Sequence, residues 1–231
     1  MAIARGRRWR ELAVPVDVVD RAPRAAVDVA LVLAVDSSGS ISEQRLTMQI
    51  QGYIDALRHP SFVEAVGGGR RGQIGLTYVT WTDARRQEQV VPWRVIKDQL
   101  SANAFAQAIH DALRPLPGWT SISGAIDFCT GLLMSCGYVA TRRVIDISGD
   151  GANNDGRPVT EARDAAVATG VTINGLPIIE VEPNLEQYYR DNVIGGPDAF
   201  VVVASESAAF GAAVLRKLLV EVAGIPPPGA A

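Results

Sequence analysis

From Val29 to Val35 the stretch VDVALVLAV (27–35) is apolar at every position, with none of the polar alternation of a half-exposed strand. A strand of this kind has to be covered on both faces, as in parallel sheets whose crossover helices pack above and below. The rest of the chain alternates accordingly. Strand-like runs recur at 73–81 (QIGLTYVTW), 142–151 (RRVIDISGDG), 171–179 (VTINGLPII) and 199–205 (AFVVVAS), and a proline-interrupted run at 88–96 suits a sheet edge. Between them lie helical patterns. Residues 42–59 place Leu46, Ile50, Ile54 and Leu57 at helical spacing, with Ser42 as a candidate N-cap and Pro60 beyond the end. Further helices are expected within 97–116 (ended by Pro115), 121–136, 159–170 (closed by Gly170), 185–195 and 207–224. The Gly-rich 67–72 reads as a plain connector, since no phosphate-cradling spacing is present. The fold class expected is α/β, a three-layer sandwich with a mainly parallel central sheet and helices on both faces. Residues 27–224 form one domain in this reading, with 1–26 an N-terminal extension and 225–231 a flexible tail.

The apolar strands end in polar turns. The first runs into DSSGS (36–40) and the 142–151 strand into SGDG (148–151), so Asp36 and Asp150 both stand at strand carboxyl ends, where open α/β sheets bind ligands. In a turn whose alternate residues point one way, Asp36, Ser38 and Ser40 can converge, with Gly39 easing the backbone path. Thr120, in GWTSISGAI, adds another hydroxyl. Two carboxylates and three hydroxyls form an all-oxygen donor set suited to a hard divalent cation, which keeps water when the protein supplies few charges. The same residue types also cap helices at strand-to-helix junctions, so DSSGS alone does not separate the two readings. Thr120 and Asp150, which add a hydroxyl and a second strand-end carboxylate, favour a cation.

At these residues the chain resembles the von Willebrand factor type A domain, whose metal-ion-dependent adhesion site reads D-x-S-x-S, then Thr, then Asp. The resemblance spans roughly residues 27–222. LVLAVDSSGSIS, RRVIDISGDGANNDG, VTINGLPI and VIGGPDAFV also look like a bacterial family of unknown function that carries this core. The resemblance implies a Rossmann-like fold and a cation, Mg²⁺ or else Ca²⁺ or Mn²⁺. It also implies direct ligation by Ser38, Ser40 and Thr120, with Asp36 and Asp150 binding directly or through water. A coordination position left open would accept a carboxylate from a protein partner. A cation neutralised by only two carboxylates keeps enough charge to attract a third. The function implied is non-enzymatic protein binding, with a scaffold carrying a vestigial site as one alternative.

Other chemistries fare worse. A phosphoryl-transfer hydrolase of the haloacid-dehalogenase kind would need a second aspartate where Ser38 stands, and no lysine lies in the candidate loops. With two histidines, His59 and His110, neither zinc spacing nor a serine-hydrolase base appears. The 22 basic and 25 acidic residues give a net charge of −3, which offers no general attraction to nucleic acid or anionic lipid, and no apolar run is long enough for membrane insertion. Cys129 and Cys136 would stand about 10 Å apart along a helix, beyond disulfide reach, and read as two buried thiols. The opening residues lack an apolar signal core, so a cytoplasmic location is expected as written, although similar proteins often look exported. Asn153 to Gly156 read as turn residues, Asp83 as a solvated turn residue and Asp146 as structural, and Trp81, Trp93 and Trp119 either pack in the core or line the rim.

Overall fold

Five strands, β1 (Ala26–Asp36), β2 (Ile74–Trp81), β3 (Gln87–Ile96), β4 (Val139–Gly149) and β5 (Val171–Pro177), lie in the order β3-β2-β1-β4-β5. The computed structural model describes residues 25–38, 43–112, 118–179, 182, 184–204 and 210–224. β1 is the middle strand and runs parallel to both β2 and β4, β4 runs parallel to β5, and β3 is an antiparallel edge strand. Pro92 sits in that edge strand, where a missing N–H costs least.

The helices are α1 (Glu43–Arg58), α2 (Pro60–Gly67), α3 (Gln99–Ala112), α4 (Ile122–Ser135), α5 (Val159–Ala168), α6 (Leu185–Tyr188) and α7 (Phe210–Ala223), with one π-helical turn at Tyr189–Val193 after α6. The alternation of β1 divides the core in two. Val29, Leu31, Leu33 and Val35 pack with Tyr53, Leu57, Phe105 and Leu218 on one face. Ala30, Val32 and Ala34 pack with Ile126, Cys129, Ala162 and Tyr189 on the other. Covered twice, β1 has no place for a polar side chain between Val29 and Val35.

A charged cluster fixes α7 to the sheet. Lys217 Nζ lies 2.5 Å from Asp146 Oδ1 of β4 and 2.5 Å from Glu221 Oε1 of α7. Asn174 Nδ2 of β5 donates to the same Glu221 oxygen at 3.0 Å, and all four side chains are buried. Asp146 is structural, as expected, and acts by holding α7.

Three expectations need correction. Pro60, expected only to follow the 42–59 helix, opens a further helix that runs to Gly67: it takes a first-turn position, where its missing N–H is harmless, and His59 Nδ1 caps by accepting from Ser61 N at 3.2 Å. The run 199–205 is not a strand among the described residues. It meets β5 only at isolated bridges, Gly175 with Val201 and Ile178 with Ala204, because Pro177 between them has no N–H to continue a ladder. Cys129 is buried but Cys136 is only half-buried, and both thiols are free. Ser40, Ser42, Pro115, the tail 225–231 and residues 1–24 of the extension lie outside the described residues. Among the described residues no helix is long and apolar enough to cross a membrane.

Candidate functional site

Asp36 is the last residue of β1 and pairs in register with Trp81, while Val35 pairs with Ser148 of the other neighbour. The turns that follow β1 and β4 therefore emerge side by side. Ser37 extends the β2 ladder by one bond, its N–H donating to Trp81 O at 3.0 Å. The chain then turns around the aspartate itself, as Ser38 N–H donates to Asp36 Oδ1 at 2.7 Å. Asp36 and Ser38 are both buried. Thr120 comes from the loop before α4, a helix capped by Ser121, whose Oγ accepts from Gly124 N at 3.2 Å. A Cβ on Gly151 would lie 3.8 Å from Thr120 Oγ1, so the threonine hydroxyl stands against the Asp150 turn. The structure thus brings Asp36, Ser38, Thr120 and Asp150 to one end of the sheet, all buried.

Asp36 Oδ2 is fully enclosed and makes no hydrogen bond within the described residues. Burial pushes its carboxyl up to about 7, with the Ser38 backbone N–H and hydroxyl acting against the rise and the charge of Asp150 adding to it. Behind it lies a second buried polar atom without a hydrogen bond, Tyr189 Oη. A Cβ on Gly149 would come within 3.0 Å of Tyr189 Oη and 3.1 Å of Asp36 Oδ2, so glycine is what lets strand, phenol and carboxylate approach. Burial raises the Tyr189 phenol well above its ordinary value, and the charges of Asp36 and Asp150 add to that.

The loop after Asp150 differs from its expected role as a simple turn. Asn153 Oδ1 accepts from Ser123 N at 2.9 Å, Asn154 Oδ1 from Thr120 N at 2.9 Å and Asp155 Oδ2 from Ala84 N at 2.8 Å. Three successive side chains each satisfy a backbone amide of another segment, one of them in the first turn of α4. The signal in the sequence was the consecutive Asn-Asn-Asp itself, though nothing local says where those carbonyls point. Gly156 follows at φ +82, and a Cβ there would lie 2.8 Å from both Ser121 Oγ and Ser123 Oγ. Gly156→Ala is expected to cost about 1–3 kcal/mol in urea unfolding; an unchanged midpoint would contradict this packing.

The remaining candidates fall into place. Asp83 is a turn residue whose Oδ1 accepts from Arg85 N at 3.0 Å, and His59 and His110 are exposed. Trp81 is fully buried, and Trp93 meets Tyr138 edge-on with ring centroids 5.8 Å apart. Trp119 is 70% exposed beside Thr120.

Among the described residues no group of three or more His, Cys, Asp or Glu side chains could hold a metal ion. What the fold gathers is poorer in charge, with two carboxylates and hydroxyls and an enclosed carboxylate oxygen that has no donor. A hard cation suits that set, because a buried carboxylate needs a counter-charge and hydroxyls supply neutral oxygen ligands.

The sheet order and the helices on both faces are those of a Rossmann-like α/β fold, and the solved structures similar to it give it the von Willebrand factor type A fold. The chain itself belongs to the family described as "Protein of unknown function (DUF1194)", which matches residues 26–226. No curated protein matches the sequence. Among solved structures, proximal thread matrix protein 1 from the mussel byssus, with a zinc-occupied MIDAS motif, is similar at TM-score 0.63 and 17% identity, covering 87% of this chain and 50% of that one. A von Willebrand factor type A protein from Catenulispora acidiphila gives TM-score 0.60 at 15% identity over 86% of this chain and 42% of that one. The vWF domain of the type V pili tip protein Mfa5 from Porphyromonas gingivalis gives TM-score 0.60 at 12% identity over 90% and 99%. The chain spans about half the length of the mussel protein it resembles.

Proposed function

We propose that this protein is a divalent-cation-dependent protein-binding module, without catalysis of its own, that captures an acidic side chain of a partner. Asp36, Ser38, Thr120 and Asp150, with Ser40 from the sequence pattern, would hold Mg²⁺, or Ca²⁺ or Mn²⁺ in its place. The observation that carries the reading is the enclosed Asp36 Oδ2, without a hydrogen-bond donor beside the Asp150 turn. A cation there would compensate the buried carboxylate and, with few charges around it, would still attract a third. The zinc-occupied MIDAS motif of the mussel protein and the pili-tip role of Mfa5 support a metal and a protein partner respectively. Trp119 would face that partner, since a large exposed aromatic beside a polar site is a common binding anchor.

Calorimetric titration with Mg²⁺, Mn²⁺ and Ca²⁺ tests this. The wild type is expected to bind and to gain thermal stability from the ion, and Asp36→Ala to lose both effects. Equal heats from the two proteins, or none from the wild type, would remove the reading. Phosphoester turnover abolished by Asp36→Ala would point to an enzyme instead.

A further inference from the structure

We infer that Asn154 is the positioning residue of the site: it sets the place of Thr120 from the loop that carries Asp150. The inference rests on the metal reading above and adds to it a residue that makes no contact with the cation. Asn154 and Thr120 are joined twice. Thr120 N–H donates to Asn154 Oδ1 at 2.9 Å, and Asn154 N–H donates to Thr120 O at 2.9 Å. The side chain thus completes a two-bond ring around the threonine backbone, as a neighbouring strand would. Bonds on either side prevent the ring from swinging as a unit. Asn153 Oδ1 holds Ser123 N in the first turn of α4, Ser121 Oγ donates to Asp155 O at 2.9 Å, and Ser121 N–H donates to Thr82 O at 2.7 Å.

Two properties separate positioning from ordinary loop packing. Asn154 is exposed and belongs to neither apolar core, so its side chain adds little to global stability. Its one side-chain acceptor contact is with the backbone of a candidate ligand residue. A hydroxyl on an unbraced loop would have to be ordered at the moment of ion binding; here the ordering is done in the folded protein. Because Asn154 lies four residues after Asp150, the Thr120 hydroxyl and the Asp150 carboxylate are carried by one connected unit. The Asp36 turn, held by β2 and its own Asx bond, is the other half of the site.

The test uses Asn154→Ala, Asn154→Asp and, as a comparison that disturbs the far end of the same loop without touching Thr120, Asp127→Ala, which removes the exposed Arg157–Asp127 ion pair. Amide exchange is followed on the metal-free protein and Mn²⁺ affinity by electron paramagnetic resonance. Asn154→Ala is expected to speed exchange of the Thr120 amide by about tenfold or more and to weaken Mn²⁺ binding by about 10- to 100-fold, with little change in the unfolding midpoint. Asn154→Asp keeps the acceptor oxygen and should restore Thr120 protection and bring Mn²⁺ affinity back to or above that of the wild type. Asp127→Ala should leave both readouts alone. Wild-type Mn²⁺ affinity in Asn154→Ala, with the Thr120 amide exposed, would overturn the positioning role while leaving the metal site standing. Unchanged Thr120 exchange in Asn154→Ala would show that the ring is not formed. A wild type that binds no Mn²⁺ would remove the metal reading and this inference together, whatever the exchange data say.

Discussion

Replacing Lys217 by methionine is expected to destabilise the protein by about 3–5 kcal/mol at pH 8, far more than an exposed helix substitution would. Lys217 Nζ is fully buried between Asp146 and Glu221, 2.5 Å from each. Methionine fills nearly the same volume, so packing is largely kept and the loss is electrostatic. Two carboxylates would then face each other in the core with only the Asn174 amide donating to one of them. Removing one partner of a buried ionic cluster costs more than removing the whole cluster. Adding Asp146→Asn and Glu221→Gln to Lys217→Met should therefore recover most of the loss. Urea unfolding measures all of these proteins, and a Lys217→Met protein within about 1 kcal/mol of wild type would refute the account.

Stability should also fall as the pH rises from about 4 to about 7, and Asp146→Asn should reduce that fall, leaving the part that belongs to the buried Asp36 carboxyl. Asp146 is enclosed by Lys217 and Glu221 of α7, by Tyr53 of α1 and by Tyr78 of β2. Burial, and then the charge of Glu221, push its carboxyl from the ordinary 3.8 up to about 7, against the pull of Lys217. The folded protein thus holds this proton more tightly than the unfolded chain. Stabilisation from it is fully present below pH 4, is lost as the pH climbs through 7, and is constant above that. Asparagine imitates the protonated acid, so the variant should show a flatter profile than wild type and be at least as stable at pH 8. Carboxylates remote from this cluster, Asp36 among them, are common to both proteins and drop out of the comparison. Parallel stability profiles for the two proteins from pH 4 to 8 would count against the assignment.

The cluster also shows where sequence reading stops. In VLRKLLVEV, Lys217 and Glu221 stand four apart, the spacing of an ordinary solvated helix pair, and only the arrival of Asp146 from β4 makes them interior. The central strands were legible because double coverage leaves an uninterrupted apolar run, and the edge strand because Pro92 fits nowhere else. α2 was not legible, since a proline that ends one helix can equally begin the next, and here the cap is His59. The 199–205 run has strand composition but lacks a continuous partner, a fact that resides in Pro177. At the candidate site, Asp36, Ser38 and Asp150 could be read from strand ends because parallel neighbours finish together, whereas Thr120 sits between two helices and was indicated only by the family resemblance. Asn154 and Tyr189 could not, because each reaches the site from a segment whose direction is set by tertiary packing.

The sheet order has a consequence for the newly made chain. β1 is synthesised first yet occupies the middle, and its flank toward Asp150 stays open until β4 has left the ribosome and closed the parallel ladder. Until then the Asp36 carboxylate lacks the Asp150 loop, and Thr120 lacks the Asn154 bond that places it. Contacts so distant along the polymer form late on the folding route. A bound ion would accordingly lengthen the lifetime of the finished molecule without hastening its birth.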